Sequence, residues 1–326
     1  MTSENPPSDP IIWLLIDDRA GNRSQCVGVA EALGRAYEIR EISYGALSAI
    51  PNLFLGASFC GLTQASQELM APPWPAAVIG AGRRTAPVAR RIKKLSGGGT
   101  KLFQVMHPGS GVGDFDLIAV PNHDHFPDGP NIQKITGAPH GLTPKKLSEA
   151  AEHWRGRFDD LPGPRIALIV GGSTRRRRFT ETMARELAEQ ASRMAKSAGG
   201  SLLVSTSRRT DEASGKALVE GTTVPARVFR WGDEGENPYV GYLACADAVI
   251  VTGDSMSMCS EACAVPVPVY IYAPDTLITE KHRRLHEELF EGGYARRLEG
   301  TLEEWRHPRL NAATEIAQVI AEIMEA

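Results

Sequence analysis

The sequence predicts an α/β protein of two Rossmann-like units, each an open and mostly parallel sheet, that face a central cleft. Short apolar, β-branched runs, such as 11–16, 166–170 and 248–251, each precede a polar or glycine-containing turn and then a helical pattern. That order is typical of parallel sheets. The pattern restarts after Asp159-Asp-Leu-Pro-Gly-Pro164, which is typical of a linker. At 326 residues the chain is long enough for two domains.

This linker sets the predicted domain boundaries. We expect a first domain over 11–158, the linker at 159–164, a second domain over 165–308 and a closing helix over 309–326. Residues 1–10 are polar and proline-rich, without the basic and apolar regions of a secretory signal, so we expect a disordered leader there.

Composition indicates a soluble globular protein, with 42% hydrophobic and 23% charged residues. A net charge of −3 and a pI near 6.3 argue against nucleic acid as a partner. No run of 18 apolar residues occurs, so no spanning helix is predicted. The five cysteines lack metal-like spacing and are expected to be reduced thiols, which predicts a cytoplasmic protein.

The first predicted strand, 11–16, ends in a polar turn at 17–23. Ligands of open parallel sheets gather at the carboxyl ends of strands, so this turn is predicted to face the cleft. Asp17 and Asp18 are candidates for a catalytic base there. Alternatively, Asp17 caps the turn and Asp18 pairs with Arg19. The sequence leaves both interpretations open.

An uncharged stretch follows, and within it the segment 47–62 is apolar but interrupted by Pro51, Gly56 and Gly61. It is too broken for a spanning helix. One interpretation is a peripheral membrane contact, which would place the protein at the inner membrane. The other is a buried connection between elements, and the absence of a flanking Lys or Arg favours this second interpretation.

The first half continues with strands predicted at 77–81, 101–106, 115–120 and 131–136. The third of these runs into Asn122-His-Asp-His125. His123 with Asp124 can form a general base, because the pKa of imidazole lies near the operating pH. A metal site is the weaker alternative, since no third ligand is identifiable. A plain surface histidine is the simplest alternative.

Two turns of the second half suit phosphate. The strand 166–170 ends at Gly171-Gly-Ser-Thr174, where missing Cβ atoms let the backbone approach a ligand, and four arginines follow at 175–178. Such a run is most often a solvated face, and we expect one of the four to contact the ligand. The strand 202–205 ends at Thr206-Ser-Arg-Arg-Thr210, which offers hydroxyls and guanidiniums.

The strand at 248–251 is followed by a break and a short helix, predicted over 258–264. Asp254 and Ser255 lie where this helix must start, with Ser257 as a second possible N-cap. A helix start offers unpaired N–H groups that attract phosphate. Glu261 lies about one turn in, where its carboxylate can accept hydrogen bonds from ribose hydroxyls. In the alternative, these residues are only caps and Glu261 faces solvent.

This turn resembles that of GT-B glycosyltransferases, where a Gly-Asp-Ser-x-Ser-x-x-x-Glu-Ala pattern, present here at 253–262, places a glutamate on the donor ribose. More closely, the chain resembles the mitochondrial fission ELM1 family, which has bacterial and plant members. Three other blocks carry this resemblance: Asp18-Arg-Ala-Gly-Asn-Arg-Ser-Gln25, Phe115-Asp-Leu-Ile-Ala-Val-Pro-Asn-His-Asp124, and Trp231 through Asn237-Pro-Tyr239. The resemblance spans roughly 11–300.

The resemblance implies a GT-B-like fold whose second half binds a nucleoside-diphosphate sugar and whose first half binds an acceptor. The closing helix would cross back onto the first domain. Glu261 would hold the ribose. Trp231 would border the nucleobase, core packing being its alternative role. Gly172 and Ser173, with Arg208, would hold the diphosphate. The other expected donor contacts are Asn237, Asp254, Ser255, Ser257 and Met258. The catalytic base is expected among Asp18, His123 and Asp124.

The predicted function is therefore transfer of a sugar from a nucleoside-diphosphate sugar to a glycan or a lipid-linked acceptor. We expect neither a metal ion nor another cofactor, because arginines and helix starts can stabilise the leaving diphosphate. The alternative is a non-catalytic adaptor of GT-B-like fold, because plant relatives are associated with recruitment of the mitochondrial fission machinery. The phosphate-suited turns favour the enzyme, since an adaptor has no need of them.

Overall fold

A computed structural model describes residues 11–45 and 50–326. The predicted leader, 1–10, and the start of the predicted membrane segment, 47–49, lie outside the described residues. The chain forms two compact units. The first ends at Gly141 and also contains Ala312–Ala326, while the second spans Leu142–Asn311.

The first unit is built on a six-stranded sheet. Its strands are β1 (Ile12–Ile16), β2 (Tyr37–Glu41), β3 (Ala77–Ala81), β4 (Lys101–Val105), β5 (Leu117–Pro121) and β6 (Ile132–Ile135). All are parallel, in the order β2-β1-β3-β4-β5-β6. Its helices are α1 (Ala20–Leu33), α2 (Asn52–Leu55), α3 (Gln64–Glu68), α4 (Ala86–Leu95) and the last helix of the chain, α11 (Ala312–Glu325).

The second unit repeats this design. Its strands are β7 (Arg165–Gly172), β8 (Ser201–Arg209), β9 (Ala226–Phe229), β10 (Ala248–Thr252), β11 (Val269–Tyr272) and β12 (Arg296–Arg297). They are parallel, in the order β12-β11-β10-β7-β8-β9. Its helices are α5 (Pro144–Trp154), α6 (Glu181–Ser197), α7 (Glu212–Gly221), α8 (Tyr239–Cys245), α9 (Met256–Ala262) and α10 (Glu280–Glu291).

Each sheet is buried on both faces, which is why its inner strands read as continuous apolar runs. In β7, Ile166 and Leu168 enter the core that contains α6 and α7, whereas Ala167 and Ile169 enter the core that contains α8, α9 and α10. Successive side chains of a strand alternate between the two faces, so apolar residues are needed at every position. Polar chemistry is thereby left to the strand ends.

Helix α5 belongs to the second unit, although the sequence placed it in a first domain that ended at 158. The ring of Trp154 stacks on Phe158 with 6.0 Å between centroids, and Phe158 packs on Tyr242 of α8 at 5.4 Å. This helix precedes the proline-rich linker in sequence but packs in the core of the second unit. The units therefore separate after Gly141. Helix α11 packs on α1 of the first unit.

We expect Gly241→Ala to destabilise the second unit, because a Cβ at Gly241 would lie 2.3 Å from Cγ of Trp154 and would push α8 away from α5. Overpacking of this kind costs about 1–3 kcal/mol. The matched control is Gly215→Ala in α7, where the added Cβ meets no neighbour within 4 Å. Alanine there is expected to raise the free energy of unfolding by about 0.5–1 kcal/mol, because alanine has a higher helix propensity than glycine. Urea unfolding followed by circular dichroism measures both, and equal stabilities would contradict this packing.

Candidate functional site

Three of the predicted turns meet at one edge of the second sheet. Strands β10, β7 and β8 are neighbours, and parallel strands end at the same edge. The structure therefore brings together the residues 171–174, 206–210 and 252–255, which we call the second-unit edge. The loop after β9, which starts near Trp231, joins it from the next strand.

A buried ion pair forms the centre of the second-unit edge. The carboxylate of Asp254 lies against β7, so that a Cβ on Gly171 would be 2.4 Å from Oδ2. Oδ2 accepts a hydrogen bond from Nη1 of Arg209 at 2.5 Å. The side chain of Asp254 has no exposure, whereas that of Arg209 retains 31%. Oδ1 of Asp254 is buried without a hydrogen-bond partner in the part of the chain that the structure describes.

Gly172 and Ser173, which were predicted to hold a diphosphate, instead contact the backbone of β8 from the end of β7. Gly172 has a φ of +123°, and a Cβ there would lie 2.3 Å from the carbonyl oxygen of Arg209. The N–H of Ser173 donates to the same carbonyl at 2.9 Å, and its hydroxyl accepts from the N–H of Phe179 at 3.0 Å. These contacts fix the edge, but they engage the N–H that a phosphate would need.

The arginines of this edge fall into two groups. Arg208 and Arg209 are consecutive on a strand, so their side chains lie on opposite sides. The structure pairs Arg209 with Asp254 and leaves Arg208 exposed. The sequence predicted Arg208 as the ligand contact and missed Arg209. The run 175–178 is exposed throughout, so these arginines can meet an anionic ligand in solvent.

Helix α9 begins two residues before the predicted start. Ser255 is its N-cap, and the Ser255 hydroxyl accepts from the N–H of Met258 at 3.5 Å. Ser255 thus fills the role that was also considered for Ser257. Ser257 and Met258 are half-buried in the first turn, and Met258 packs against the apolar core.

Glu261 is held in place by a residue that the sequence did not assign to the site. The hydroxyl of Tyr239 donates to Oε2 of Glu261 at 2.5 Å, and the N–H of Tyr239 donates to the side-chain oxygen of Asn237 at 3.0 Å. Burial raises the pKa of Glu261, and the hydrogen bond from Tyr239 opposes that rise. Burial, with the Glu261 charge, raises the pKa of Tyr239, so its hydroxyl stays protonated. The block Asn237-Pro-Tyr239 was the available signal.

Trp231 is 57% exposed, which excludes core packing as its role. Its backbone N–H donates to the hydroxyl of Thr206, at the end of β8, with a distance of 2.9 Å. Asn237, at the other end of the same loop, is also exposed. An exposed indole beside strand ends offers a flat apolar surface on which a ligand ring can stack.

His286 of α10 supports the turn between β10 and α9. A Cβ on Gly253 would lie 2.5 Å from Cε1 of His286, and Nε2 of His286 donates to the carbonyl of Gly253 at 3.0 Å. Burial, with His282 as a smaller cause, lowers the pKa of His286 to about 4. The neutral imidazole therefore positions the residue before Asp254. No pattern in the sequence indicates this contact.

In the first unit, the turn after β1 gives Asp17 and Asp18 different roles. Asp17 is buried, and its Oδ1 accepts from the N–H of Arg19 at 3.2 Å and from the Asn22 side chain at 3.0 Å. Asp17 thus caps the turn, as one interpretation held. The Asp18 side chain is 78% exposed and pairs with Arg84 at 3.1 Å. This corrects the partner considered from the sequence, Arg19, because Arg84 reaches Asp18 from the turn after the neighbouring strand.

His123 and Asp124 share one 3₁₀ turn after β5, with His123 buried and Asp124 half-buried. Strands β3 and β4 lie between β5 and β1, so this turn is three strand spacings, about 14 Å, from Asp18. Asp18 therefore cannot share one hydroxyl with His123 or Asp124. Over residues 11–45 and 50–326, no group of three or more His, Cys, Asp and Glu side chains is placed to hold a metal ion.

The segment that was expected to be a buried connection exposes two large apolar side chains. Leu53 and Phe54 of α2 are 76% and 78% exposed, which corrects that expectation. The buried side chain of Asn52 anchors this helix, because its Nδ2 donates to the carbonyls of Arg83 at 2.5 Å and Pro108 at 2.6 Å. The polar residue is thus inside and the apolar pair outside.

Basic side chains lie beside this apolar pair, although no Lys or Arg flanks it in sequence. Arg90 of α4 donates to the carbonyl of Gly56, just after α2, at 3.2 Å. Arg83, whose carbonyl meets Asn52, is exposed. No helix in the described ranges is both long and apolar enough to cross a membrane.

Comparison with known proteins gives a family and a fold. A family model described as Mitochondrial fission ELM1 matches residues 20–324. The mitochondrial fission protein ELM1 of Arabidopsis thaliana is 27% identical over 288 residues, covering 81% of this chain and 67% of that protein. The uncharacterized protein RP120 of Rickettsia prowazekii (strain Madrid E) is 29% identical over 346 residues, covering 95% and 97%.

Among solved structures, the UDP-GlcNAc 2-epimerase of Methanocaldococcus jannaschii in complex with UDP-GlcNAc and UDP is similar to this chain. The match covers 97% of this chain and 100% of the epimerase, with a TM-score of 0.54 and 12% identity. At that identity the match shows a shared fold alone. The predicted α/β fold of GT-B type is thereby confirmed.

We expect Arg209→Met to destabilise the second unit, because it leaves the buried Asp254 carboxylate without its cation. Breaking a buried pair costs about 3–5 kcal/mol, and we expect the lower end because Arg209 is partly exposed. The matched control is Arg208→Met, which changes an exposed residue of the same strand. Its free energy of unfolding is expected to lie within about 0.5 kcal/mol of the wild-type value. Urea unfolding compares them, and similar losses would contradict the assignment of Arg209.

His286 is expected to make stability depend on pH. The pKa of His286 is about 4 in the folded protein and about 6.5 when unfolded. Between these values the unfolded chain binds more protons, so the free energy of unfolding falls as the pH falls. His286→Gln keeps an N–H donor but does not titrate. Between pH 6.5 and 4, we expect the free energy of unfolding of the wild type to fall by on the order of 3 kcal/mol more than that of this variant. Parallel pH profiles in urea unfolding would refute the assignment.

Proposed function

The chain belongs to the mitochondrial fission ELM1 family, and from that premise we propose that it is a glycosyltransferase of GT-B-like fold. It binds a nucleoside-diphosphate sugar at the second-unit edge and transfers the sugar to a glycan or a lipid-linked acceptor. The epimerase of the same fold, solved with UDP-GlcNAc and UDP, supports this class of donor.

Glu261 is the observation that carries the proposal. Its carboxylate is partly buried and oriented by Tyr239 through Oε2. Among the hydrogen bonds of the described residues, that is the one this carboxylate accepts, so Oε1 remains for a ribose hydroxyl. A buried and oriented carboxylate discriminates well between ligands, because one that lacks the hydroxyl leaves the carboxylate unpaired.

The other donor contacts follow from the same edge. Trp231 is proposed to stack on the nucleobase, because its ring is exposed beside the strand ends. The exposed arginines 175–178 and Arg208 supply positive charge for the diphosphate. We propose that this charge stabilises the leaving group without a metal ion. Gly172, Ser173, Asp254 and Ser255 shape the edge beneath the ligand, and Asn237, Ser257 and Met258 border it.

The acceptor is proposed to bind in the first unit, with the base among Asp18, His123 and Asp124. Because about 14 Å separates Asp18 from the other two, they represent alternative positions of the reacting hydroxyl and not one assembled site. A peripheral membrane contact through Leu53 and Phe54 would serve a lipid-linked acceptor. The protein is then proposed to act in the cytoplasm, at the inner membrane.

An adaptor without catalysis is the second candidate function. Two observations favour it: the N–H and hydroxyl of Ser173 are already engaged within the protein, and Leu53 with Phe54 forms an exposed apolar pair. The Arabidopsis relative is named a mitochondrial fission protein, which is consistent with a role in binding. An adaptor role, however, does not explain why the carboxylate of Glu261 is held in a fixed orientation.

Calorimetric titration with UDP, GDP, ADP, dTDP and their sugars tests the donor site. We expect at least one of them to bind with a micromolar dissociation constant. Glu261→Ala is expected to weaken that binding at least tenfold, about 1.4 kcal/mol, because the ribose loses its acceptor. Tyr239→Phe is expected to weaken it less, because it removes only the group that orients Glu261.

The matched control is Glu287→Ala, which removes an exposed carboxylate of α10 and is expected to bind like wild type. Circular dichroism establishes that every variant is folded. If no nucleotide binds the folded protein, the transferase proposal fails and the adaptor becomes the better account. Equal weakening by Glu261→Ala and Glu287→Ala would instead remove Glu261 from the site.

A further inference from the structure

Strand β2 lies at one end of the first sheet and leaves a row of backbone groups open. It pairs with β1 on one side. The N–H of Ile42, just after β2, faces β1, because it donates to the carbonyl of Ile16 at 2.8 Å. Backbone groups point to alternate sides along a strand, so every second residue before Ile42 also faces β1. The N–H and C=O groups of Tyr37, Ile39 and Glu41 therefore point away from the sheet.

This outward row has a defined length. Ser43, the next outward residue, is already covered, since its N–H donates to the Ser66 hydroxyl at 2.8 Å and its carbonyl accepts from the N–H of Thr63 at 3.0 Å. Before β2, the chain arrives from α1 through Gly34 at a φ of +69°. Within the described residues, no hydrogen bond reaches the three outward residues of β2 on their open side. The uncovered row is thus centred on Ile39.

The side chains of β2 have an unusual order for an edge strand. Charges on such a strand normally prevent pairing with another chain, but here Glu38 and Arg40 have opposite signs and flank Ile39, which is 37% exposed. Nη2 of Arg40 lies 2.6 Å from Oε2 of Glu38. The guanidinium carbon of Arg40 lies 4.3 Å from the centre of the Trp13 ring, so its charge is held in place at the edge.

This order is complementary to itself. In an antiparallel pair of two β2 strands with the two-fold axis at Ile39, the same residue meets from both copies. Glu38 then lies opposite Arg40 of the second copy, and this contact occurs twice by symmetry. Tyr37 lies opposite Glu41, so each outward residue exchanges two main-chain hydrogen bonds with its counterpart. Opposite charges across two antiparallel strands stabilise the pair, and an antiparallel strand pairing at the edge of a parallel sheet is common.

The other edge strands do not share this property. Strand β12 has only two residues, both arginines. In β9, a two-fold axis at the central Arg227 would place arginine against arginine. In β6, an axis at Gln133 would place Ile132 opposite Lys134, which brings neither apolar contact nor charge attraction. The self-complementary pattern is therefore specific to β2 among the edges of the two sheets that the structure describes.

We propose that β2 is an interaction surface for a second copy of this chain. The two copies pair their β2 strands antiparallel about Ile39, so that their first sheets join into one continuous sheet. Such an interface uses the same surface on both copies, as in most two-fold symmetric dimers. It also covers backbone groups that would otherwise be open to pairing with unrelated chains.

Sedimentation velocity on the full chain, without nucleotide, tests the proposal. At micromolar concentrations we expect the wild type to be a dimer, with twice the 35.3 kDa mass of one chain. Glu38→Lys is expected to raise the dissociation constant of the dimer about tenfold, because the new lysine faces Arg40 of the second copy, and does so twice. The matched control is Glu189→Lys. Glu189 is an exposed carboxylate of α6 that also pairs with an arginine of its own element, Arg193 at 3.9 Å, and the control is expected to dimerise like wild type.

A mixture of two variants tests the charge contact directly. Arg40→Glu alone is also expected to weaken the dimer about tenfold, because the new glutamate faces Glu38 of the second copy. When Glu38→Lys and Arg40→Glu are mixed, each chain carries the charges that complement the other. We therefore expect heterodimers with an affinity near that of wild type. An interface elsewhere on the chain would not respond to both changes in this reciprocal way.

Ile39→Pro tests the backbone contact. The N–H of Ile39 points away from β1, and proline is tolerated on an edge strand where the lost N–H faces outward. We expect this variant to be folded and monomeric. Circular dichroism establishes that every variant is folded, and the charge variants decide the question if Ile39→Pro is not.

Four results would overturn the proposal: a wild type that is monomeric at micromolar concentrations, a dimer that either Glu38→Lys or a folded Ile39→Pro leaves intact, a mixture that forms no heterodimer, or a wild type that dimerises only after removal of residues 1–10, which would assign the edge to that segment. None of them affects nucleotide binding through Glu261 of the second unit. The proposed donor site can therefore stand while this inference fails.

Discussion

The buried carboxylate of Asp254 is the constraint on which the second-unit edge depends. A charge with no exposure needs both a cation and space. Arg209 supplies the cation, and Gly171 supplies the space because a Cβ there would overlap the carboxylate. His286 then holds the carbonyl that precedes Asp254. Gly171 and Arg209 lie in turns whose sequences are typical of phosphate binding, but in the structure they accommodate the carboxylate of Asp254.

The fold and the positions of the turns could be predicted from the sequence, because buried parallel strands read as apolar runs and polar residues remain at their ends. Register could not be predicted. The pairing of β7 with β8 shifts between Val170 and Gly172, and no sequence pattern shows which of two adjacent arginines then faces Asp254. Arg84 reaches Asp18 across 66 residues, a separation that local periodicity does not span.

Tertiary packing also explains why the observed boundary between the units, after Gly141, differs from the boundary expected from the sequence. A proline- and glycine-rich linker shows where a chain bends, but the docking of Trp154 and Phe158 on Tyr242 decides which core a helix joins. The same limit applies to Leu53 and Phe54. Their apolar character predicts burial, yet the buried position of α2 is taken by Asn52, whose amide pairs with two carbonyls, and the apolar pair is left outside.

Both units contain buried polar atoms that have no hydrogen-bond partner in the described residues, among them Oδ2 of Asp17 and Oδ1 of Asp254, and these atoms bear on the choice between enzyme and adaptor. An exposed pair such as Leu53 and Phe54 is enough for an adaptor. Such a protein would gain stability if the Tyr44 hydroxyl or an unpaired oxygen of Asp17 were absent, because neither has a partner. Stability lost to oriented but unpaired groups is typical of sites that bind small polar molecules. The adaptor role can therefore accompany ligand binding, but it does not explain these buried groups.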